Sequence, residues 1–272
     1  MKTKLIICFV SLFFGSIVVG QTANSIVKVE MESMVSGLSQ GKTLITTTTY
    51  IKGKDMKIES LMSNVTQYQF FIGDKATVVT KEKGSSDLCG EGTRDEWKEL
   101  SEGTGGAQNK TEYEDVKVKK TNKTMKLLGY ECKKANISYK VSTMGFKMKS
   151  ENEIWYTDAL KVSESETGDP SNMGVSNAYS DALNSLGGVT LKITTKVNGM
   201  QITQMTITEI RSGGVEDNML SIKDEAKECK KMLTLKEHNK KVEERNAARD
   251  AQNRQMQNQM NQMQNQMNGF PR

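Results

Sequence analysis

Four methionines near the C-terminus, Met256, Met260, Met263 and Met267, recur at steps of four, three and four residues. On a helix that spacing lines their thioethers along one side. Thioethers are soft ligands suited to Cu(I), so this stripe is the one arrangement in the chain that matches a metal's preference. The same stripe also serves as a packing face, because methionine fills irregular apolar contacts well. His238 is the single histidine, set in a Lys/Glu-rich helical stretch, where it is expected to be solvated. One histidine leaves no room for a histidine-based triad or a multi-histidine zinc site. Gly41-Lys42-Thr43 imitates the end of a phosphate-binding loop, but Gly37 stands one position too close and both flanks are strand-like. The carboxylates Glu91, Asp95, Glu96, Glu99 and Glu102 lack the alternating spacing of a calcium loop and are expected to form a solvated acidic segment. No residues are assigned as catalytic and no cofactor is implied. The expectation is a protein that is not an enzyme.

The cysteines carry a different chemistry. Cys8 lies in an apolar leader, which leaves Cys89, Cys132 and Cys229 in the mature chain, so at most one intramolecular disulfide forms. Spacing does not choose the pair. Cys132 sits in a strand-like core stretch as a small hydrophobe, which leaves Cys89 and Cys229 as possible partners. Neither a CxxC pair nor a histidine neighbour supports a redox or nucleophilic role.

The elements that must position these groups begin with residues 1-20. Lys2 and Lys4 precede an apolar run from Leu5 to Val19, and Val18-Val19-Gly20 suits a cleavage site. This predicts a secretory signal peptide, a mature chain starting at Gln21, and a periplasmic or secreted protein without a stable membrane anchor after cleavage. Thirty-eight Lys and Arg against 33 Asp and Glu give a net charge of +5. Lysine alternates with Glu and Thr instead of forming a basic stripe, which argues against nucleic acid as a partner.

From 21 to 222 the pattern is that of strands: short runs rich in Thr, Val, Ile and Tyr between glycine-bearing turns. Expected strands are Ile26 to Ser33, Thr43 to Lys52, Met56 to Leu61, Gln67 to Ile72, Ala76 to Lys81, Val116 to Thr121, Tyr130 to Val141, Phe146 to Thr157, Thr190 to Val197 and Met200 to Ile210. Residues 84-110, rich in Gly, Ser and Glu, are expected to be an inserted loop, with composition for one helical turn at Asp95 to Leu100. Gly168 to Gly174 is another loop, and Tyr179 to Leu186 a short helical piece. Asn198-Gly199 fits a type I′ turn, whose two central residues both need positive φ. In that register Leu191, Ile193 and Val197 share a face with Met200 and Ile202, with Met205 and Ile207 opposite. The centre of the fold is the stretch Met125 to Ala135 with Asn152 to Thr157, where Trp155 is expected to be shielded.

Residues 223-272 change character, to a charged run of good helix formers with no glycine until Gly269. One long helix is expected from Lys223. Alternating steps of three and four from Met232 land on Leu235, Asn239, Val242, Asn246, Arg249, Asn253, Met256, Met260, Met263 and Met267. That is a heptad register whose middle is weakened by Asn239, Asn246 and Arg249, so an isolated dimeric coiled coil is expected to be marginal. Its end is a low-complexity tandem repeat, with Gln255 to Asn261 and Gln262 to Asn268 both reading Gln-Met-Gln-Asn-Gln-Met-Asn.

Gly129-Tyr130-Glu131-Cys132-Lys133-Lys134, the strand ending in Trp155-Tyr156-Thr157, and the turn Lys52-Gly53-Lys54-Asp55-Met56-Lys57-Ile58-Glu59 together resemble the bacterial envelope family named domain of unknown function 4412. That family is similar to the GLPGLI family and, remotely, to the periplasmic lipoprotein-carrier and lipoprotein-receptor (LolA/LolB-like) proteins. The resemblance implies a mainly β fold, a curved antiparallel sheet forming a half-open barrel, here followed by a long C-terminal α-helix. It also implies an apolar concave side that takes a lipid or a lipoprotein acyl chain, with no catalytic residues and no identified ligand-binding residues to carry over. The alternatives are an interaction module with a protein partner for the C-terminal helix, or Cu(I) binding by the methionines.

Overall fold

The computed structural model describes residues 24–34, 42–103, 112–143, 146–160 and 177–268. The leader and the 168–174 loop lie outside them. The described chain builds one open sheet of 12 strands in the order β12-β6-β5-β4-β3-β2-β1-β11-β10-β9-β8-β7. The strands are β1 (Asn24–Met34), β2 (Lys42–Lys52), β3 (Asp55–Met62), β4 (Val65–Ile72), β5 (Lys75–Glu82), β6 (Leu88–Thr93), β7 (Glu112–Leu127), β8 (Tyr130–Thr143), β9 (Phe146–Thr157), β10 (Val189–Val197), β11 (Met200–Ser212) and β12 (Met232–Thr234). Neighbouring strands pair antiparallel, except β12, which runs parallel to β6. The helices are α1 (Arg94–Gly103), α2 (Asn177–Asn184) and α3 (Leu235–Asn268). The mainly β fold with a curved, unclosed sheet and a long C-terminal helix is as expected.

Most strands form where β-branched and aromatic residues concentrate. The β10–β11 turn has Asn198 at φ 50 and Gly199 at φ 82, the pair of left-handed residues that a type I′ turn needs. The register beyond that turn differs from the sequence-based one. A bulge between Thr195 and Lys196 shifts the pairing, so Ile193 faces Met205. One extra residue in one strand reverses every side chain beyond it. Met205 and Ile207 thereby join Leu191 and Ile193 in the core.

Cross-strand partners share a face, and the chain of pairs Val27, Thr49, Ile58, Gln69 and Val78 defines the inner one. Toward β7 it gathers Val27, Val29, Met31, Ile45, Ile137, Ile154, Leu191 and Ile207 under Tyr179 and Ala182 of α2 and Leu186 of the turn after it. Each such aliphatic side chain contributes roughly 1.5–3 kcal/mol on burial. Toward β6 the same face carries Phe71, Ala76 and Val78 against Trp97 and Leu100 of α1 and Leu235 of α3. Arg94 pins this end by donating to the carbonyls of Gly73, Lys54 and Phe71 at 2.5, 2.6 and 2.8 Å.

Three sequence expectations are corrected. Residues 84–110 are not one loop, because β6 and α1 occupy Leu88 to Gly103. The C-terminal helix starts at Leu235 and not at Lys223, since residues 223–231 run in turns and β12 precedes the helix. Trp155 is only half-buried and sits on the outer face, paired with Lys134 and Lys192, with the Lys134 ammonium 5.6 Å from its ring centre. The buried hydrophobic members of that strand are Ile154 and Tyr156.

Candidate functional site

The inner face holds a shallow crevice with no enclosed room, lined by Met31, Ile193, Thr195, Thr203 and Met205. Strands β1, β10 and β11 supply its walls, and the partly buried Met62 of β3 packs against the same apolar cluster. It lies near the sheet end formed by the β3–β4 and β10–β11 turns. Exposed Met200 stands at that same end on the inner face, while exposed Leu44 and Leu61 point from the opposite face. The site is thus an apolar, methionine-rich surface with two threonine hydroxyls.

Further along the inner face a polar group is sealed in. Tyr113, Tyr139 and Tyr179 stack with ring centres 5.2 to 5.3 Å apart. The Tyr139 hydroxyl donates to Asn152 Oδ1 at 3.3 Å, and Asn152 Nδ2 donates to the Tyr179 hydroxyl. Burial pushes the pKa of Tyr139 and of Tyr179 upward, so both phenols stay neutral and act as fixed dipoles rather than bases. This trio anchors α2 to the sheet.

On the outer face, residues 213–231 form a strap across β1 to β6. Val215 and Leu220 pack on Ile26, Tyr50 and Ile72, while Ile222, Ala226 and Cys229 cover Phe70, Val79 and Cys89. Cys89 and Cys229 form the disulfide, and Cys132 is a buried free thiol whose pKa burial raises. The buried Lys57 ammonium lies 5.2 to 5.8 Å from the ring centres of Tyr50, Tyr68 and Phe70 and pairs with Glu225 of the strap. An ammonium held out of water needs such partners, and the rings and the carboxylate supply them.

The chain then turns round the β6 edge through β12 and enters α3. Thr234 and Glu237 form a reciprocal cap, with Glu237 N–H to Thr234 Oγ1 at 3.2 Å and Thr234 N–H to Glu237 Oε2 at 3.0 Å. His238 is not solvated as expected from sequence: it is 1% exposed, with Nε2 3.2 Å from Thr80 Oγ1. Burial lowers its pKa. The helix lies close to β6 because Gly90 has no side chain there; a Cβ on Gly90 would stand 2.6 Å from that of His238. Leu235, His238, Asn239, Val242, Arg245, Asn246 and Arg249 are the side chains turned from solvent, and the others of this half are exposed. Arg249 ends the docked half with an ion pair to Glu82 at 2.8 Å.

The candidate metal ligands lie beyond that point. Met256, Met260 and Met263 are 50%, 63% and 57% exposed on the free half of α3. Met267 belongs to the same helix, its side chain outside the described residues. The structure places these residues on one stripe and brings none of them to the crevice. Among the described residues no group of three or more His, Cys, Asp or Glu is placed to hold a metal ion. No described helix is long and apolar enough to cross a membrane.

No family model matches the chain, and no curated protein matches it in sequence. Among solved structures it is similar to PNGF-II, at 14% identity and a TM-score of 0.33, covering 80% of this chain and 32% of that one. It is also similar to an outer membrane lipoprotein-sorting protein domain from Vibrio parahaemolyticus, at 9% identity and a TM-score of 0.23, covering 81% and 97% of the two chains. The chain thus spans about a third of the length of the first. Likeness at this level carries no argument about this chain, and the envelope-family resemblance rests on the short motifs alone.

Proposed function

We propose that this is a non-catalytic envelope protein, exported by its leader to the periplasm or the cell exterior, that takes up a lipid or another apolar chain on the inner face of its sheet. The observation that carries the reading is the methionine-lined crevice on an open apolar face. The crevice is closed in this conformation, so an acyl chain enters only if its walls part. Met31, Met62 and Met205 are the side chains best able to repack around one, since thioether chains rotate freely and adapt their contacts. Exposed Met200, on the inner-face side of the β10–β11 turn, suits first contact with a membrane or a carrier. Family membership as domain of unknown function 4412 would agree with this use. The test is native mass spectrometry of the mature protein purified from membranes without denaturation. A co-purifying lipid that leaves on mild activation is expected; a bare chain that also ignores apolar fluorescent probes would sink the reading.

A second reading is favoured by the free half of α3, whose exposed Met256, Met260 and Met263 form an apolar stripe suited to a protein partner. Cu(I) is the alternative occupant of the same thioethers. Replacing Met256, Met260, Met263 and Met267 by leucine separates the two. The packing use survives that change, whereas copper uptake would vanish.

A further inference from the structure

From the way α3 divides into a docked and a free half, we infer that the free half is a self-association surface and that its occupant is the same stripe of a second copy of this chain. This deepens the reading of α3 as an interaction element and is independent of lipid uptake. The heptad positions Leu235, Asn239, Val242, Asn246 and Arg249 are all turned toward the chain's own sheet. The polar middle of the heptad pattern is therefore not a weak coiled-coil seam. Asn246 accepts from Arg249 Nη2 at 3.2 Å, and Arg249 pairs with Glu82, at the place where the helix crosses the sheet's end. Beyond it the same stripe continues without a break as Asn253, Met256, Met260, Met263 and Met267, but the sheet has ended. Every described side chain from Ala251 to Met263 is exposed.

Helix propensity does not hold such a segment. It projects by roughly 28 Å at about 1.5 Å per residue, is rich in Asn and Gln, and an unpacked helix of this length is marginal in water. It needs a partner for its apolar side. The chemistry of the flanks selects that partner. In the register set by the docked half, the positions beside the seam are Gln252, Gln257, Gln259, Gln264 and Gln266, all uncharged. A partner chosen by charge finds nothing to pair with there, and a helix that lies on lipid carries lysines or arginines on its polar face, which residues 255–268 lack. Two identical neutral stripes meet without repulsion, and the tandem heptad matches each methionine layer with methionine in the other copy.

The test is sedimentation equilibrium of the full mature chain over a roughly hundredfold concentration range, with a Cu(I) chelator present throughout. Wild type is expected to shift reversibly from monomer to dimer. The triple variant Met256→Gln, Met260→Gln, Met263→Gln should be monomeric at every concentration with the unfolding transition of the sheet unchanged. The corresponding triple leucine variant should dimerise at least tenfold more tightly. A wild type and a leucine variant that both stay monomeric would overturn self-association, while leaving a different protein partner for the helix. A dimer unaffected by the glutamine changes would overturn the assignment to this stripe.

Discussion

Removing the strap's covalent anchor, by the double change Cys89→Ala and Cys229→Ala, tests how the two ends of the fold are held together. The bond spans 140 residues, from β6 to the last turn before β12. For a loop of that length the chain-entropy model gives about 5 kcal/mol, and native disulfides removed from small secreted domains cost about 2–5 kcal/mol. The lower half of that range is expected here, because Ile222 and Ala226 still cover Phe70 and Val79 and Glu225 still pairs with Lys57. The assay is guanidinium unfolding followed by tryptophan fluorescence, with Trp97 reporting α1 and Trp155 the outer sheet. The wild type with reductant should reproduce the double variant. Cys132 should not interfere, being buried and held protonated by that burial. A loss under about 1 kcal/mol would show that the strap is held by packing alone and would refute the reasoning.

Gly90→Ala should destabilise by roughly 1–3 kcal/mol through overpacking, measured by the same unfolding, since its Cβ would lie 2.6 Å from the Cβ of His238. A second change, His238→Ala, keeps that Cβ and should not relieve the clash. Acidification should weaken α3 docking: His238 has its pKa lowered by burial and then by the Arg245 charge, so the unfolded chain binds the proton more readily. Its stabilisation is complete above the unfolded value of about 6.5 and is lost as pH falls through the lower folded value. Unfolding midpoints at about pH 7.5 and about pH 5 should differ by less in His238→Gln than in wild type.

What the sequence made legible were elements with a strong local signal. Thr46 to Thr49 and Asn198-Gly199 announce a strand and a hairpin without help from the rest of the chain. β6 was hidden because Leu-Cys-Gly-Glu-Gly-Thr looks like a loop; its glycines serve tertiary contacts, with Gly90 under His238 and Gly92 under Leu235. Both helix starts carried a recognisable sign. Thr93 with Glu96 and Thr234 with Glu237 have the capping-box spacing, and both form the reciprocal bonds. The β10–β11 bulge left no mark in the pattern, so the inner-face membership of Met205 and Ile207 was legible only from the pairing. The crevice draws on β1, β10 and β11, and no local pattern joins Met31 to Ile193. His238 appeared solvated because its neighbours are charged, yet the side chains three positions before it and four after it belong to the docked stripe.

The most direct test of lipid uptake on the inner face is titration of an environment-sensitive fatty-acid probe into delipidated mature protein and its Thr195→Phe variant. The phenyl ring would crowd the ground between Met31, Ile193 and Met205 that an acyl chain must enter, without adding charge. Wild type should bind saturably at one site, and the variant, destabilised by roughly 1–3 kcal/mol through overpacking but still folded at the assay temperature, should bind at least tenfold more weakly. Equal binding by the two proteins, or no binding by the wild type, would contradict the account.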